Sequence, residues 1–231
     1  MLKKIALQIS KKAQKLVGYK VIKEGSSRSV QLYDYRQNGE FDYNSYKDTQ
    51  IAGNKRKLEN VWVNEENIEF ISAYLDAELE TIEFGLCHGT RRGLEQKWFA
   101  KYLHCTVIGT EISDTATEFQ NTIEWDFHNV KDEWINAVDF IYSNSFDHSY
   151  DPKACINAWA DCLRSGGICV IEHTSGHEKA TKLDPFGAKI QLLPYLLTTW
   201  LHGKCSVVDV LDAPVLKQNE SYAKFVVLQK R

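Results

Sequence analysis

Residues 83–93 read Glu83-Phe84-Gly85-Leu86-Cys87-His88-Gly89-Thr90-Arg91-Arg92-Gly93. The residues Thr81-Ile82-Glu83-Phe84 are predicted to form a strand, and an amphipathic helix is predicted from its apolar face of Leu94, Trp98, Phe99, Tyr102 and Leu103. Glycines at 85 and 89 allow positive φ and a close approach of the backbone to a ligand, at the amino end of the helix that follows. The nicotinamide fingerprint G-x-G-x-x-G is absent, because no Gly-x-Gly occurs in the chain. The stretch therefore predicts a strand, a ligand-binding turn and a helix.

On the C-terminal side of this turn, short apolar strands alternate with amphipathic helices. Strands are predicted at 106–110, around Ile123, at 138–142 and at 168–172, and helices at 64–75, 152–165 and 187–201, the last interrupted by Pro194. The last two apolar stretches, 206–211 and 223–228, are joined by a loop too short for a helix, so they must pair antiparallel. The pattern predicts an α/β fold: a doubly wound, seven-stranded, mostly parallel sheet with a C-terminal antiparallel hairpin.

The N-terminal quarter differs from the rest in charge and pattern. Residues 1–23 hold seven lysines and no acidic residue, although the whole chain has a net charge of −3. Residues 3–17 are predicted to form a basic amphipathic helix, which either packs as a terminal helix or contacts a membrane surface or a partner. The aromatic segment 33–46 either closes over a pocket or packs as a loop. We therefore predict a cap segment at 1–60 and the ligand-binding domain at 61–231.

The composition excludes several classes of protein. The 231 residues are 43% hydrophobic and 26% charged, as in ordinary globular proteins. The six cysteines form no C-x-x-C pair, and the N-terminus is too polar for a secretory signal, so a reducing, cytoplasmic location is expected. The chain contains no run of 18 apolar residues, so no membrane span is expected. The net negative charge disfavours a nucleic-acid partner, although Lys55-Arg56-Lys57 and Arg91-Arg92 leave RNA open.

Two acidic residues follow predicted strands at the edge where such sheets bind ligands. Glu111 comes directly after the second strand, where a carboxylate can accept both hydroxyls of a ribose. Asp126 follows the third, in Glu124-Trp125-Asp126-Phe127-His128. Either acid alone is equally explained as a solvated strand end. Together with the glycine turn they predict a nucleoside site, with the adenine amino group near Asp126.

With these residues the chain resembles the class I S-adenosylmethionine-dependent methyltransferases over residues 78–231. Glu83-x-Gly85-x-Cys87-x-Gly89 is similar to the family's E/D-x-G-x-G-x-G, with Cys87 in place of the middle glycine. Residues 139–152 are similar to the fourth motif of the branch that acts on small molecules, and Leu163-Arg164-Ser165-Gly166-Gly167 to its L-x-P-G-G. The resemblance implies a Rossmann-like methyltransferase fold, S-adenosylmethionine as the cofactor, and cofactor contacts from Glu83, Gly85, Cys87, His88, Gly89, Glu111, Ile112, Asp126, Phe127 and Asn144.

The expected reaction is an in-line transfer of a methyl group to an oxygen or nitrogen of a small molecule, such as a sugar or another metabolite. Such a site mainly aligns the two reactants and supplies a base. The loops after the fourth and fifth strands are neighbours in this topology. His148 is the predicted base, since imidazole titrates near neutrality, unless it merely fixes its loop. We predict Asp147 and His173 as further catalytic residues, and acceptor contacts from Tyr150, His177 and Phe186.

Other interpretations remain open. His173-x-x-x-His177 with Asp147 would suit a divalent metal, but the spacing is loose, and we expect none. A methyltransferase-like domain that binds without catalysis is the principal alternative, supported by Cys87. A DNA-amino methyltransferase is disfavoured because Asn144-Ser145-Phe146 lacks the proline pair of that class, and a nicotinamide oxidoreductase is disfavoured because the glycine spacing is wrong.

Overall fold

The computed structural model describes residues 21–22, 29–217 and 219–231. These residues form five α-helices: α1 (Tyr43–Arg56), α2 (Glu65–Glu78), α3 (Leu94–Leu103), α4 (Pro152–Cys162) and α5 (Leu193–Trp200). Short 3-10 helices cover Asp114–Glu118, Asp132–Trp134, Phe146–His148 and Ser175–Glu178. No helix in this part of the chain is long and apolar enough to cross a membrane. The predicted basic helix at 3–17 lies outside the described residues.

The central sheet has seven strands. They are β5 (Phe84–His88), β6 (Thr106–Glu111), β7 (Thr122–Glu124), β8 (Val138–Ser143), β9 (Leu163–Thr174), β11 (Cys205–Asp212) and β12 (Ala223–Lys230). Their order is β11-β12-β9-β8-β5-β6-β7, and only β12 runs antiparallel to its neighbours β9 and β11. The predicted sheet and its C-terminal hairpin are confirmed.

Apolar residues on both faces of the sheet build two core clusters. Successive side chains of a strand point to opposite faces, so Phe140 and Ile141 of β8 enter different clusters. Helices α4 and α5 cover the Ile141 side, where Trp159 is fully buried. Helices α2 and α3 cover the Phe140 side with Ile71 and Phe99. Because both faces are covered, the strand ends are the parts of the sheet that remain open to a ligand.

The described N-terminal residues pack on this domain. The strands β1 (Val21–Ile22), β2 (Val30–Tyr33) and β10 (Phe186–Ala188) form a small sheet in which β2 lies between the other two. A hairpin of β3 (Arg36–Gln37) and β4 (Glu40–Phe41) leads into α1, where the Asp42 carboxylate accepts a hydrogen bond from the Ser45 amide. Helix α1 thereby lies over the carboxyl edge of the central sheet, with the Tyr46 hydroxyl donating to the His148 carbonyl.

The first strand of the domain lies further along the chain than predicted. It spans Phe84–His88, whereas the prediction placed it at Thr81–Phe84 and put Gly85 in the turn. Gly85 is part of the strand because the Phe140 ring fills the space of a side chain there; an added Cβ would lie 2.2 Å from that ring. The ligand-binding turn therefore begins only at Gly89.

Two further boundaries were predicted wrongly. Pro194 does not interrupt a helix from 187 to 201; it lies in the first turn of α5, where its missing N–H costs no hydrogen bond. Residues 186–188 are a strand instead. Helix α4 ends at Cys162, not at the glycine pair, and β9 begins at Leu163 and passes through Gly166, whose φ is +78°. The last turn of the predicted helix is thus the first part of a strand.

Candidate functional site

The turn after β5 has the backbone of a ligand-binding loop. Its residues Gly89, Arg91 and Gly93 have positive φ angles of 74°, 41° and 69°. The amides of Gly89 and Thr90 both donate to the Thr110 carbonyl, at 2.8 and 3.1 Å, which fixes the turn against β6. A Cβ at position 89 would lie 2.6 Å from the Cβ of Ser145. Only glycine therefore fits between the turn and Ser145 in this conformation.

Glu111, at the end of β6, points its carboxylate at this turn. It accepts hydrogen bonds from the amides of Arg91 at 3.1 Å and Ser113 at 3.2 Å. Burial raises the pKa of Glu111, and these two amide donors oppose the rise. A carboxylate offers about four lone-pair positions, so roughly two remain for ligand hydroxyls.

Asp126 lies beyond Glu111, in an aromatic cluster under α1. It accepts from the amide and the Nδ1 of His128, at 3.0 and 2.7 Å, and from the Tyr43 hydroxyl at 2.8 Å. The His128 ring stacks on Tyr150 with 3.9 Å between the ring centroids. These donors hold the pKa of Asp126 below its usual value in spite of burial. Beside it is a cavity of about 40 Å³ lined by Glu111, Ile112, Asp126 and Phe127, with Gly89 and α1 closing it.

A larger cleft continues from the turn towards the loops that follow β8 and β9. Its volume is about 180 Å³, and ionisable groups line it: Lys57, Arg91, Arg92, Glu95, Asp147, His148, His177, Asp184, Lys217 and Glu220. Asn144, Ser145, Val61, Trp62 and Val63 also line it. A cleft lined in this way suits a polar ligand.

His148 is held in one orientation. The amide nitrogen of Gln50 donates to the Leu183 carbonyl at 2.8 Å, so the Gln50 oxygen faces the imidazole. The Nδ1 of His148 therefore donates to that oxygen at 2.7 Å. Its Nε2 lies at the cleft, 3.4 Å from Asp184 Oδ1. In the neutral ring Nε2 is then the unprotonated nitrogen and can accept a proton.

Asp147 and His177 face each other across the same cleft. Asp147 Oδ2 lies 3.9 Å from His177 Nε2, and Asp147 Oδ1 is buried with no hydrogen-bond partner. Burial raises the pKa of Asp147 to about 7 and lowers that of His177 to about 4, and the charge of Lys217 adds to the second shift. At neutral pH, His177 is therefore uncharged and Asp147 is only partly ionised.

The chain was compared with protein-family models, with solved structures and with curated protein sequences. Residues 86–171 match the family model described as a methyltransferase domain. The crystal structure of Burkholderia thailandensis 1,6-didemethyltoxoflavin-N1-methyltransferase, with bound 1,6-didemethyltoxoflavin and S-adenosylhomocysteine, is similar with a TM-score of 0.64 and 15% identity, over 90% of this chain and 99% of that chain. The plantazolicin methyltransferase BpumL, in complex with a triazolic desmethyl analogue and S-adenosylhomocysteine, has a TM-score of 0.61 and 12% identity, over 81% and 98% of the two chains. No curated protein sequence matches.

The chain therefore has a methyltransferase fold, with residues 86–171 matching a methyltransferase domain. The family motif E/D-x-G-x-G-x-G can now be placed by backbone geometry. Its three glycines correspond to the positive-φ residues Gly89, Arg91 and Gly93, so the motif reads Cys87-x-Gly89-x-Arg91-x-Gly93, four residues later than the sequence suggested. The acid of the motif is replaced by Cys87 and its middle glycine by Arg91.

Four of the predicted cofactor contacts lie away from the cleft. Glu83 precedes β5 and lies at the opposite edge of the sheet, because five strand residues span about 16 Å. Gly85 and Cys87 are buried inside the sheet. His88 points into the core, where its Nδ1 lies 2.9 Å from Thr110 Oγ1 and burial lowers its pKa to about 3. Of the predicted turn contacts only Gly89 lies at the cleft.

The predicted acceptor residues are also separated. His177 lines the cleft with Asp147 and His148. His173 is buried behind His177, with 5.4 Å between the ring centroids, and burial lowers its pKa to about 3. Tyr150 lies in the aromatic cluster beside Asp126. Phe186 is 1% exposed and packs on Phe146 and Trp200 in the core, so it contributes no surface to the cleft.

Three residues of the site were missed by sequence reasoning. Gln50 comes from α1, in a segment without clear periodicity, and no local signal indicated its contact with His148. Glu95 lies in the first turn of α3 and was given no role by the sequence analysis, yet it is 6% exposed at the cleft. Arg91 was noticed only for its charge. Reading the glycine spacing from Gly89 to Gly93 would have drawn attention to both charged residues.

A cluster suited to a cation also appears among the described residues. Ligand atoms of Asp147, His148 and Asp184 all lie within 4.8 Å of one another. The sequence instead suggested His173 and His177 with Asp147. His173 is excluded from such a cluster by its position behind His177. The same three side chains are equally suited to proton transfer, since all three can bind and release a proton.

Proposed function

We propose that this methyltransferase transfers the methyl group of S-adenosylmethionine to an oxygen or nitrogen of a small-molecule acceptor in the cleft, with His148 accepting the proton. The observation that carries the proposal is the fixed imidazole: Nδ1 is bound to Gln50 and Nε2 faces the cleft. Further support comes from the two similar enzymes, whose crystal structures hold 1,6-didemethyltoxoflavin and a plantazolicin analogue. We infer that this acceptor is likewise a small metabolite.

The residues around the turn fit the nucleoside of the cofactor. Glu111 keeps about two acceptor positions that suit the hydroxyls of a ribose. Ile112 and Phe127 supply apolar walls beside Asp126, which keeps one acceptor position for an amino group after its three hydrogen bonds. Asn144 is 9% exposed and lines the cleft, where it would contact the bound cofactor. When bound, S-adenosylmethionine supplies an electrophilic methyl group.

The cleft residues then handle the acceptor proton. As the acceptor oxygen or nitrogen attacks in line, its proton moves to His148 Nε2, and the imidazolium is stabilised by Asp184 3.4 Å away. Gln50 keeps the ring in the correct tautomer and is a positioning residue. Asp147 and His177, both held near neutrality, are proposed to contact the acceptor.

His148→Asn tests the base, with His104→Asn as the matched control at an exposed helix end. Formation of S-adenosylhomocysteine would be followed with a panel of hydroxyl- and amino-bearing metabolites. We expect kcat of His148→Asn to fall by about 10²–10³ while the dissociation constant of S-adenosylhomocysteine stays unchanged, because general base catalysis contributes that much to the chemical step alone. Full turnover in His148→Asn would exclude His148 as the base.

A binding module without catalysis is the second candidate, because Cys87 and Arg91 depart from the family motif. It predicts S-adenosylhomocysteine binding without turnover on any metabolite of the panel. RNA as the acceptor is disfavoured by the net charge of −3 on the chain, and it predicts an acceptor KM that rises steeply with salt. We also propose a reducing, cytoplasmic location, in agreement with six cysteines that are all free.

A further inference from the structure

The end of the cleft next to the glycine turn carries two opposite charges that the proposed reaction does not use. Glu95 is in the first turn of α3, and Arg91 is in the turn itself; both side chains line the cleft. They interact electrostatically, but they form no salt bridge within 4.0 Å with each other or with any described residue.

Glu95 is a buried acid without a counter-ion in contact. It is 6% exposed, and burial raises its pKa to about 8, although Arg91 and Lys217 oppose the rise. A buried carboxylate is costly unless it is paired with a cation. The dipole of α3 and a backbone N–H at its amino end lower this cost, yet neither is a cation in contact with the carboxylate. The position therefore suits a cationic ligand group.

Arg91 has a backbone conformation that favours glycine. Its φ of 41° is strained for a residue with a Cβ. Its guanidinium donates to the Asn60 carbonyl at 3.3 Å, whereas its Nε is buried without a partner. Strained residues with unused donors are found at functional sites more often than elsewhere. The guanidinium suits an anionic ligand group, above all a carboxylate.

We propose that Glu95 and Arg91 together bind the amino-acid end of the cofactor, with the Glu95 carboxylate on its ammonium group and the Arg91 guanidinium on its carboxylate. The inference rests on the proposed function, in which the nucleoside lies against Gly89 and Glu111. Two opposite charges in one cleft match a zwitterion. The position that the family motif fills with an acid holds Cys87, which is fully buried and apolar, so the acid has moved from the strand end to the helix.

Three ligands that share one nucleoside separate the two charges. S-adenosylhomocysteine has both the ammonium group and the carboxylate. Its decarboxylated analogue keeps only the ammonium group, and 5′-methylthioadenosine has neither. Dissociation constants would be measured by isothermal titration calorimetry at pH 7.5 on the full chain, without any acceptor, so that catalysis plays no part in the readout.

The variants are Glu95→Gln and Arg91→Gly, the second of which also relieves the backbone strain. We expect Glu95→Gln to weaken S-adenosylhomocysteine and the decarboxylated analogue about ten- to hundredfold, as for a lost charged hydrogen bond, and to leave 5′-methylthioadenosine unchanged. Arg91→Gly should weaken S-adenosylhomocysteine alone. Glu66→Gln in the first turn of α2 and Arg56→Gln in the last turn of α1 are exposed, matched controls and should change none of the three.

Two results would overturn the inference while leaving the enzyme assignment intact: equal weakening of all three ligands, which indicates a distorted turn, or unchanged binding of S-adenosylhomocysteine in both variants. A wild-type protein that binds none of the three ligands contradicts the proposed function itself. One series of titrations therefore tells a failure of this inference from a failure of the proposed function.

Discussion

Asp147 shows how a single buried side chain is set by its surroundings. Its carboxyl is 7% exposed, and one of its oxygens has no hydrogen-bond partner. Burial is the largest cause that raises its pKa, nearby His148 lowers it, and Asp184 raises it again, to a final value of about 7. The protonated form is therefore well populated in the folded protein at neutral pH, and in that form the group can donate a hydrogen bond to the acceptor.

The raised pKa makes a prediction about stability. Unfolded Asp147 ionises near pH 4 and folded Asp147 near pH 7, so the free energy of unfolding falls as the pH rises between these values, and the loss is complete above about 7. Asp147→Asn removes the loss. We expect its stabilisation in urea melts to be larger at pH 8 than at pH 5 by about 2–3 kcal/mol.

Asp76→Asn, on an exposed position of α2, is the control and should show no such difference. An equal effect of Asp147→Asn at both pH values would mean that the folded carboxyl titrates normally.

At the scale of elements, the strand β10 fixes the loop that brings His177 and Asp184 to the cleft. Gly187 in β10 pairs with Gln31 of β2, and its backbone lies directly against residues 178–180. A Cβ at this position would meet the Ala180 nitrogen at 2.6 Å and the Glu178 carbonyl oxygen at 2.9 Å. Backbone atoms cannot rotate away as a side chain can, so β10 requires glycine here.

Gly187→Ala should therefore lower the free energy of unfolding by several kcal/mol. It should also reduce turnover, because residues 178–180 must shift to make room for the alanine side chain. Urea melts and kcat are the measurements. Gly203→Ala is the comparison, since a Cβ there meets nothing within 4 Å and only the positive φ of 83° costs about 1 kcal/mol. If both variants lose the same stability, the contact of Gly187 with residues 178–180 has no special importance.

At the scale of the whole molecule, the cofactor assignment predicts a ligand-dependent melting temperature. S-adenosylhomocysteine at about 100 times its dissociation constant adds roughly 2.7 kcal/mol to the free energy of unfolding. For a chain of 231 residues this raises Tm by about 5–10 °C. NAD should cause no shift, because the chain lacks its glycine fingerprint. A shift with NAD and none with S-adenosylhomocysteine would exclude the methyltransferase assignment.

The sheet was predictable because its information is local. The strands at 106–110 and 138–142 are apolar runs between helices with clear faces, and structure and prediction agree there to within one residue. The first strand was misplaced because Thr81-Ile82-Glu83-Phe84 has the better strand pattern, while Gly85 and His88 are poor strand residues. They are accepted in β5 only because Phe140 and Thr110 of the neighbouring strands pack on them.

The sequence by itself determined the order of strands and helices, the methyltransferase fold and the edge of the sheet where the site lies, since periodicity and turn residues act over a few positions. Only the tertiary structure decided which side chains meet there. Gln50 reaches His148 across 98 positions of the chain, and Phe186 turns into the core although it is near His177 in sequence. Such contacts depend on how α1 and β10 pack on the sheet, and no local pattern encodes that packing.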